Sequence, residues 1–178
     1  MLAALLCLIV GISDGDTLTA RCPAADPAHP YQQVRVRLAE IDAPESRQAF
    51  GQRSKRHLSD LCFKADATIR PTATDRYGRT VARVECRGKD ANLEQVKAGL
   101  AWAYTRYQTD AAFRAAEQAA RVARVGLWST QGTAAPPMAP WEFRQSNRPK
   151  SADATDCVTG PKGGRYQLLP DGSKRYGC

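Results

Sequence analysis

The chain of 178 residues and 19.4 kDa holds one full domain and a short remainder, and a second domain of usual size does not fit. Apolar residues make up 43%, which excludes wholesale disorder. A formal net charge of +8 and a pI near 9.4 point to polyanionic partners, although a surplus of this size also serves solubility alone.

The opening, Met1 to Val10, is apolar but falls short of the ~18 residues that a membrane-spanning helix needs, so no stable membrane insertion is expected. It resembles part of a secretory signal without a basic leading region, and Cys7 to Ile12 also reads as a strand. The preferred account is a clipped or mis-started signal over residues 1–6 that runs into the first strand. Asp14-Gly15 then predicts a hairpin over 7–22. Residues 23–33, with three prolines, read as loop. Val34 to Leu38 alternates strictly, with Val34, Val36 and Leu38 on one face and Arg35 and Arg37 on the other. Pro44 ends that run.

Ser46 to Cys62 has helical spacing of Phe50, Leu58 and Leu61. Residues 66–74 and 79–86 form a second hairpin around Asp75-Arg76-Tyr77-Gly78, and 90–100 a short helix. Asp110 is a candidate N-cap for a helix with Phe113, Ala116, Ala120 and Ala123 on one stripe, stopped at Gly126. Residues 130–156 read as a Pro/Ala-rich linker and tail, and 157–178 as a small basic hairpin bounded by cysteines. Five short strands and about three helices give an α+β fold, for which a five-stranded OB-type barrel capped by helices is the candidate, with the small hairpin as a C-terminal extension. The barrel domain is placed at 7–129.

Six cysteines allow fifteen pairings, and no CxxC spacing suggests zinc. If Asp14-Gly15 is a two-residue turn, positions summing to 29 face each other, and Cys7 lies opposite Cys22. By neighbourhood, Cys62 would pair with Cys86 and Cys157 with Cys178. Such pairing favours a secreted or periplasmic protein. The alternative is a cytoplasmic protein with buried thiols, whose apolar start is only the first strand.

Three clusters combine acid and base: Asp14-Gly15-Asp16-Thr17, Arg37 through Asp42 to Glu45, and Asp75 through Tyr77 to Arg79. Each alone is an ordinary turn or a solvated strand face. Together they hold hard carboxylates suited to Ca²⁺ or Mg²⁺, two guanidinium forks suited to a phosphate, and a carboxylate suited to general-base work. His29 and His57 are expected at the surface, outside any chemistry, while Trp102 and Trp128 are expected in packing and Trp141 is expected to dock the tail on the barrel.

The order and spacing of these motifs, extended by Gly99-Leu100-Ala101 and Gly126-Leu127-Trp128-Ser129, resemble the thermonuclease (staphylococcal-nuclease-like) family over about residues 7–129. The resemblance implies an OB-fold barrel and Ca²⁺-dependent hydrolysis of phosphodiester bonds in DNA, with RNA as a further substrate. It implies metal ligation by Asp16, Asp42 and the carbonyl of Ala43, a general base at Glu45, and phosphate clamping by Arg37 and Arg79. Tyr77, with Tyr104 or Tyr107, would line the nucleotide site. Ala43 stands where the family often has threonine, and the basic loop after Glu45 is short. No protein partner is implied. The competing readings are a non-catalytic OB-fold module that binds nucleic acid and a Ca²⁺-stabilised structural domain. Two carboxylates beside a phosphate site would repel the ligand of a pure binder.

Overall fold

The computed structural model describes residues 3–104, 110–130, 132–133, 135–147, 157–161, 163–168 and 173–176. Two compact units divide the chain, Met1–Phe143 and Arg144–Cys178.

In the first unit, β1 (Leu5–Ile12), β2 (Thr17–Pro23) and β3 (Tyr31–Leu38) form an antiparallel meander, followed by the short β4 (Ile41–Asp42) and α1 (Gly51–Cys62). β5 (Asp66–Thr74) and β6 (Thr80–Cys86) make the second hairpin, and β5 also pairs with β1. The parallel pairing of Val36, Arg37 and Leu38 with Thr80, Val81 and Ala82 closes five strands into a barrel. The alternation expected of β3 holds, because Val36 and Leu38 are buried while Arg35 is exposed. Short β7 (Lys89–Asp90), α2 (Ala91–Lys97), β8 (Trp102–Ala103) and α3 (Ala111–Val122) complete this part, with β8 paired to β4. A 3₁₀ turn over Gly126–Thr130 follows, then α4 (Pro140–Ser146).

Ile9, Leu18, Val36, Ile69, Val84, Leu58 and Phe113 fill one core. Trp102, Trp128 and Ala120 form a second cluster, onto which Trp141 packs edge-on to Trp102, with ring centroids 6.3 Å apart. Cys7–Cys22 and Cys62–Cys86 are disulfide-bonded. Closing loops of 15 and 24 residues, they are each worth about 3 kcal/mol by loop entropy. The third expected pair involves Cys178, which lies outside the described residues.

Several elements depart from expectation. The first hairpin turns through three residues, Asp14 to Asp16, because the Ser13 N–H bonds the Thr17 carbonyl. The register near the turn therefore sums to 30, and a bulge at Val10 restores 29 before the cysteines. α1 starts five residues later than expected, at Gly51. Phe50 takes a left-handed φ of 67°, and a Cβ on Gly51 would lie 2.0 Å from the Glu45 carbonyl oxygen. α3 is capped by Asp110 as expected but ends at Val122, with Arg124 in the left-handed region and Ala123 exposed. The tail contains α4, which its proline-rich composition hid. In the second unit the expected hairpin is a three-stranded sheet, β9 (Cys157–Thr159), β10 (Arg165–Leu168) and β11 (Lys174–Tyr176), in the order β11-β10-β9.

Candidate active site

Closure of the barrel decides which residues meet. The start of β2, the end of β3 and the start of β6 lie side by side, since Thr17 pairs with Arg37 and Val36 with Thr80. Asp16 and Arg79 each immediately precede one of these paired threonines, and Asp42 follows within five residues of Arg37. One end of the barrel therefore carries residues from three separate motifs.

Arg37 bridges two carboxylates. Its Nη1 donates to Asp16 Oδ1 at 2.7 Å and its Nη2 to Asp42 Oδ1 at 3.0 Å. Asp16 and Asp42 are only 4% and 1% exposed. Asp16 also accepts from Thr17 Oγ1 at 3.0 Å and, through Oδ2, from the Ala43 N–H at 2.9 Å. That last bond ties the β1–β2 turn to the exit from β4. Burial disfavours the Arg37 charge, but the two aspartates outweigh it and hold the guanidinium firmly protonated. Asp14, on the same turn, is pushed up to about 6, first by burial and then by the charge of Asp16.

Arg79 is fixed at the second hairpin tip. Its Nε donates to Asp75 Oδ2 at 2.7 Å, while Asp75 Oδ1 accepts the backbone N–H groups of Tyr77 and Arg79. Its Nη1 reaches Thr17 Oγ1 at 3.5 Å, which joins the tip to the aspartate cluster. Tyr77 is 68% exposed, with the Arg79 guanidinium 5.5 Å from its ring centre. Glu45 is partly buried three residues beyond Asp42, its N–H bonded to Gln48 Oε1. Tyr104 donates its N–H to the Glu40 carbonyl and packs its ring 5.9 Å from Trp141. Tyr107 lies outside the described residues. Asp16, Arg37, Asp42, Ala43, Arg79 and Tyr77 thus form one connected group.

Sequence reasoning missed the supports of this group. Gln95 Nε2 donates to the Gly15 carbonyl and, at 3.1 Å, to the Ser54 carbonyl. A Cβ on Gly15 would collide with Ser54 Oγ at 1.8 Å, so only glycine lets the acidic turn sit on α1. His57, expected at the surface, is partly buried with its Nδ1 on Gln95 Oε1. Asn92 accepts the Val84 N–H and donates to the carbonyls of Ala39 and Ala82, which holds the turn between β3 and β4. Arg83 binds Glu40, Asp90 and Asp110 and stacks on Phe113. The available signal was weak. Asn and Gln on a short helix look solvated until tertiary contacts bury them.

Two buried carboxylates share a single guanidinium here, and burial together with the charge of Asp16 raises the neighbouring Asp14 carboxyl. Such a site carries surplus negative charge and hard oxygen donors, and these residues fit a divalent cation. Among the described residues no group of three or more His, Cys, Asp or Glu side chains forms a metal cage, so a cation would need backbone or water oxygens as well.

The profile of the staphylococcal nuclease homologue family matches residues 35–130. An uncharacterised endonuclease of Haemophilus influenzae is 41% identical over 142 residues, covering 80% of this chain and 74% of its own. The micrococcal nuclease of Shigella flexneri is 38% identical over 151 residues, covering 79% and 80%. The staphylococcal-like nuclease CAN1 of Arabidopsis thaliana is 35% identical over 117 residues, 66% of this chain but 35% of the longer plant protein. The motifs, the closed barrel and these relatives agree: the chain belongs to the staphylococcal nuclease homologue family.

Proposed function

We propose that this protein is a Ca²⁺-dependent nuclease that hydrolyses phosphodiester bonds of DNA and RNA, acting in an oxidising compartment outside the cytoplasm. Relatives named as endonucleases and nucleases support the enzyme class. The observation that carries the reading is Arg37, held between buried Asp16 and Asp42 while Arg79 reaches the same cluster through Thr17. The two disulfides support the compartment.

In this reading Asp16, Asp42 and the carbonyl of Ala43 hold the cation, which when bound neutralises charge at the phosphate. Arg37 and Arg79 supply guanidinium forks to the phosphate oxygens, where negative charge grows as water attacks phosphorus. Glu45 accepts the proton of that water. The Arg37 guanidinium, like any arginine, keeps its charge at working pH, and its two aspartate partners hold the proton more firmly still. Tyr77 and Tyr104 flank the nucleotide, with Tyr107 as the further candidate.

The test is cleavage of denatured DNA with Ca²⁺ and with chelator, in the parent and in Glu45→Gln. Cutting that requires the metal and falls at least tenfold in the variant is expected, since general-base catalysis contributes about 10²–10⁴-fold. Metal-independent binding without cutting would leave a binding module in its place.

A further inference from the structure

The second unit has a feature that the barrel site does not use. Register places Tyr166 opposite Tyr176 and opposite Val158, so the three share one face of the small sheet, with Lys174 beside them. The tyrosine rings lie 5.7 Å apart, and the Lys174 ammonium sits 4.4 Å from the Tyr166 ring centre. On this face Tyr176 is 69% exposed, Val158 43%, and Tyr166 is half-buried. Arg165 and Arg175 fall on the reverse face by strand alternation, and both are exposed. Over residues 157–178 the chain has four Lys or Arg and one Asp. Three strands with an apolar face are about the minimum for a sheet that is stable by itself. This sheet leaves much of that face exposed, with Lys174 on it and the two arginines on the opposite side.

We propose that the face of Tyr166, Tyr176 and Lys174 is a second binding site for single-stranded nucleic acid, distinct from the barrel site. Bases stack on the exposed tyrosine, Lys174 meets a phosphate, and the two arginines add to the field that draws the strand in. Rings tolerate any base, so the site grips without reading sequence. The charge sign excludes an acidic-patch function, and the exposed π-surface is more than a purely electrostatic anchor needs. A nuclease with such a platform holds a polymer between cuts, whereas a substrate too short to span both sites gains nothing from it.

The test uses the full chain carrying Arg79→Ala, in chelator, with a fluorescein-labelled oligothymidylate of fifteen nucleotides read by anisotropy. In that background Tyr176→Ala is expected to weaken binding about tenfold, the size of one lost base–aromatic stack, while Tyr176→Phe stays within about twofold. Lys174→Gln, at an exposed position that tolerates substitution, is expected to lower the slope of log affinity against log salt by about 0.7, one phosphate contact on a single strand. In the Arg79 background-free protein, Tyr176→Ala raises KM on denatured DNA but leaves cleavage of a dinucleotide phosphodiester unchanged. Unaltered oligonucleotide binding in both Tyr176→Ala and Lys174→Gln overturns the proposal. So does tyrosine-dependent binding to phosphatidylserine vesicles without such an effect on the oligonucleotide. Because the oligonucleotide is read without metal or turnover, a failure of the nuclease reading leaves this result intact, and the reverse holds too.

Discussion

Arg37 and Arg79 have the same side-chain exposure, 21%, and each is paired with aspartate, yet they are built differently. Arg79 finds its partner four residues back in one hairpin tip, and Asp75 keeps 18% of its side chain in solvent. Arg37 joins two carboxylates, one from the β1–β2 turn and one from β4, whose side chains are 5% and 1% exposed and whose positions are fixed only when the barrel closes. The first pair is local in sequence, whereas the second is a product of the tertiary fold. A buried group that has lost its counter-charge is costly, while a surface pair adds little. Function and stability should therefore separate cleanly at Arg79 and remain entangled at Arg37.

Arg37→Ala is the strongest way to break the comparison. It leaves Asp16 and Asp42 buried without their cation, and a loss of about 3–5 kcal/mol is expected in chemical denaturation. A loss below about 1 kcal/mol would mean that the two pairs are alike. Next in size is Gln95→Ala, which deprives the Gly15 carbonyl and the His57 ring of a partner. Its expected cost is about 1–3 kcal/mol, with a fall in kcat larger than the change in KM, because the acidic turn loses its anchor rather than its chemistry. A fully stable variant with normal turnover would remove Gln95 from the support of the site.

How much of this was legible in the sequence follows the same division. The Asp75–Arg79 tip, the Asp110 cap and the alternation of β3 are short-range features, and local rules predict them. The pairing of Cys7 with Cys22 was also readable, but by an argument whose two errors cancel. The turn has one residue more than Asp14-Gly15 suggests, and the bulge at Val10 takes it back. Nothing local announces that bulge. The Gly51 requirement, the late start of α1, the buried Gln95 and Asn92, and the third strand of the second unit all depend on what lies across from them. Pattern reasoning placed Asp16, Arg37, Asp42 and Arg79 on loops and strand ends, but the parallel β3–β6 pairing is what makes them neighbours.

Arg79→Lys sharpens the contrast from the other side. The charge remains while the fork that spans Asp75 and Thr17, and that the proposed function aims at a phosphate, is lost. Stability within about 0.5 kcal/mol of the parent is expected, with DNA cleavage down at least tenfold. Both quantities can be read on one preparation by thermal unfolding and a cleavage assay. Normal cleavage by this variant would remove Arg79 from the chemistry.

The smallest expected effect is on pH dependence. Burial tends to raise the Asp75 carboxyl, but hydrogen bonds from the Arg79 and Tyr77 backbone and from the Arg79 side chain outweigh it and leave the group below its ordinary value. A depressed carboxylate stabilises the fold above its unfolded pKa of about 3.9, and that contribution disappears as pH falls through the lower folded value. Asp75→Asn should therefore show its full deficit above about pH 4, and a deficit that shrinks steadily as pH falls below that. An equal deficit at pH 3 and pH 7 would mean that the tip is held by its backbone geometry alone. The local arginine would then need no carboxylate charge to stay in place, and its difference from Arg37 would be wider still.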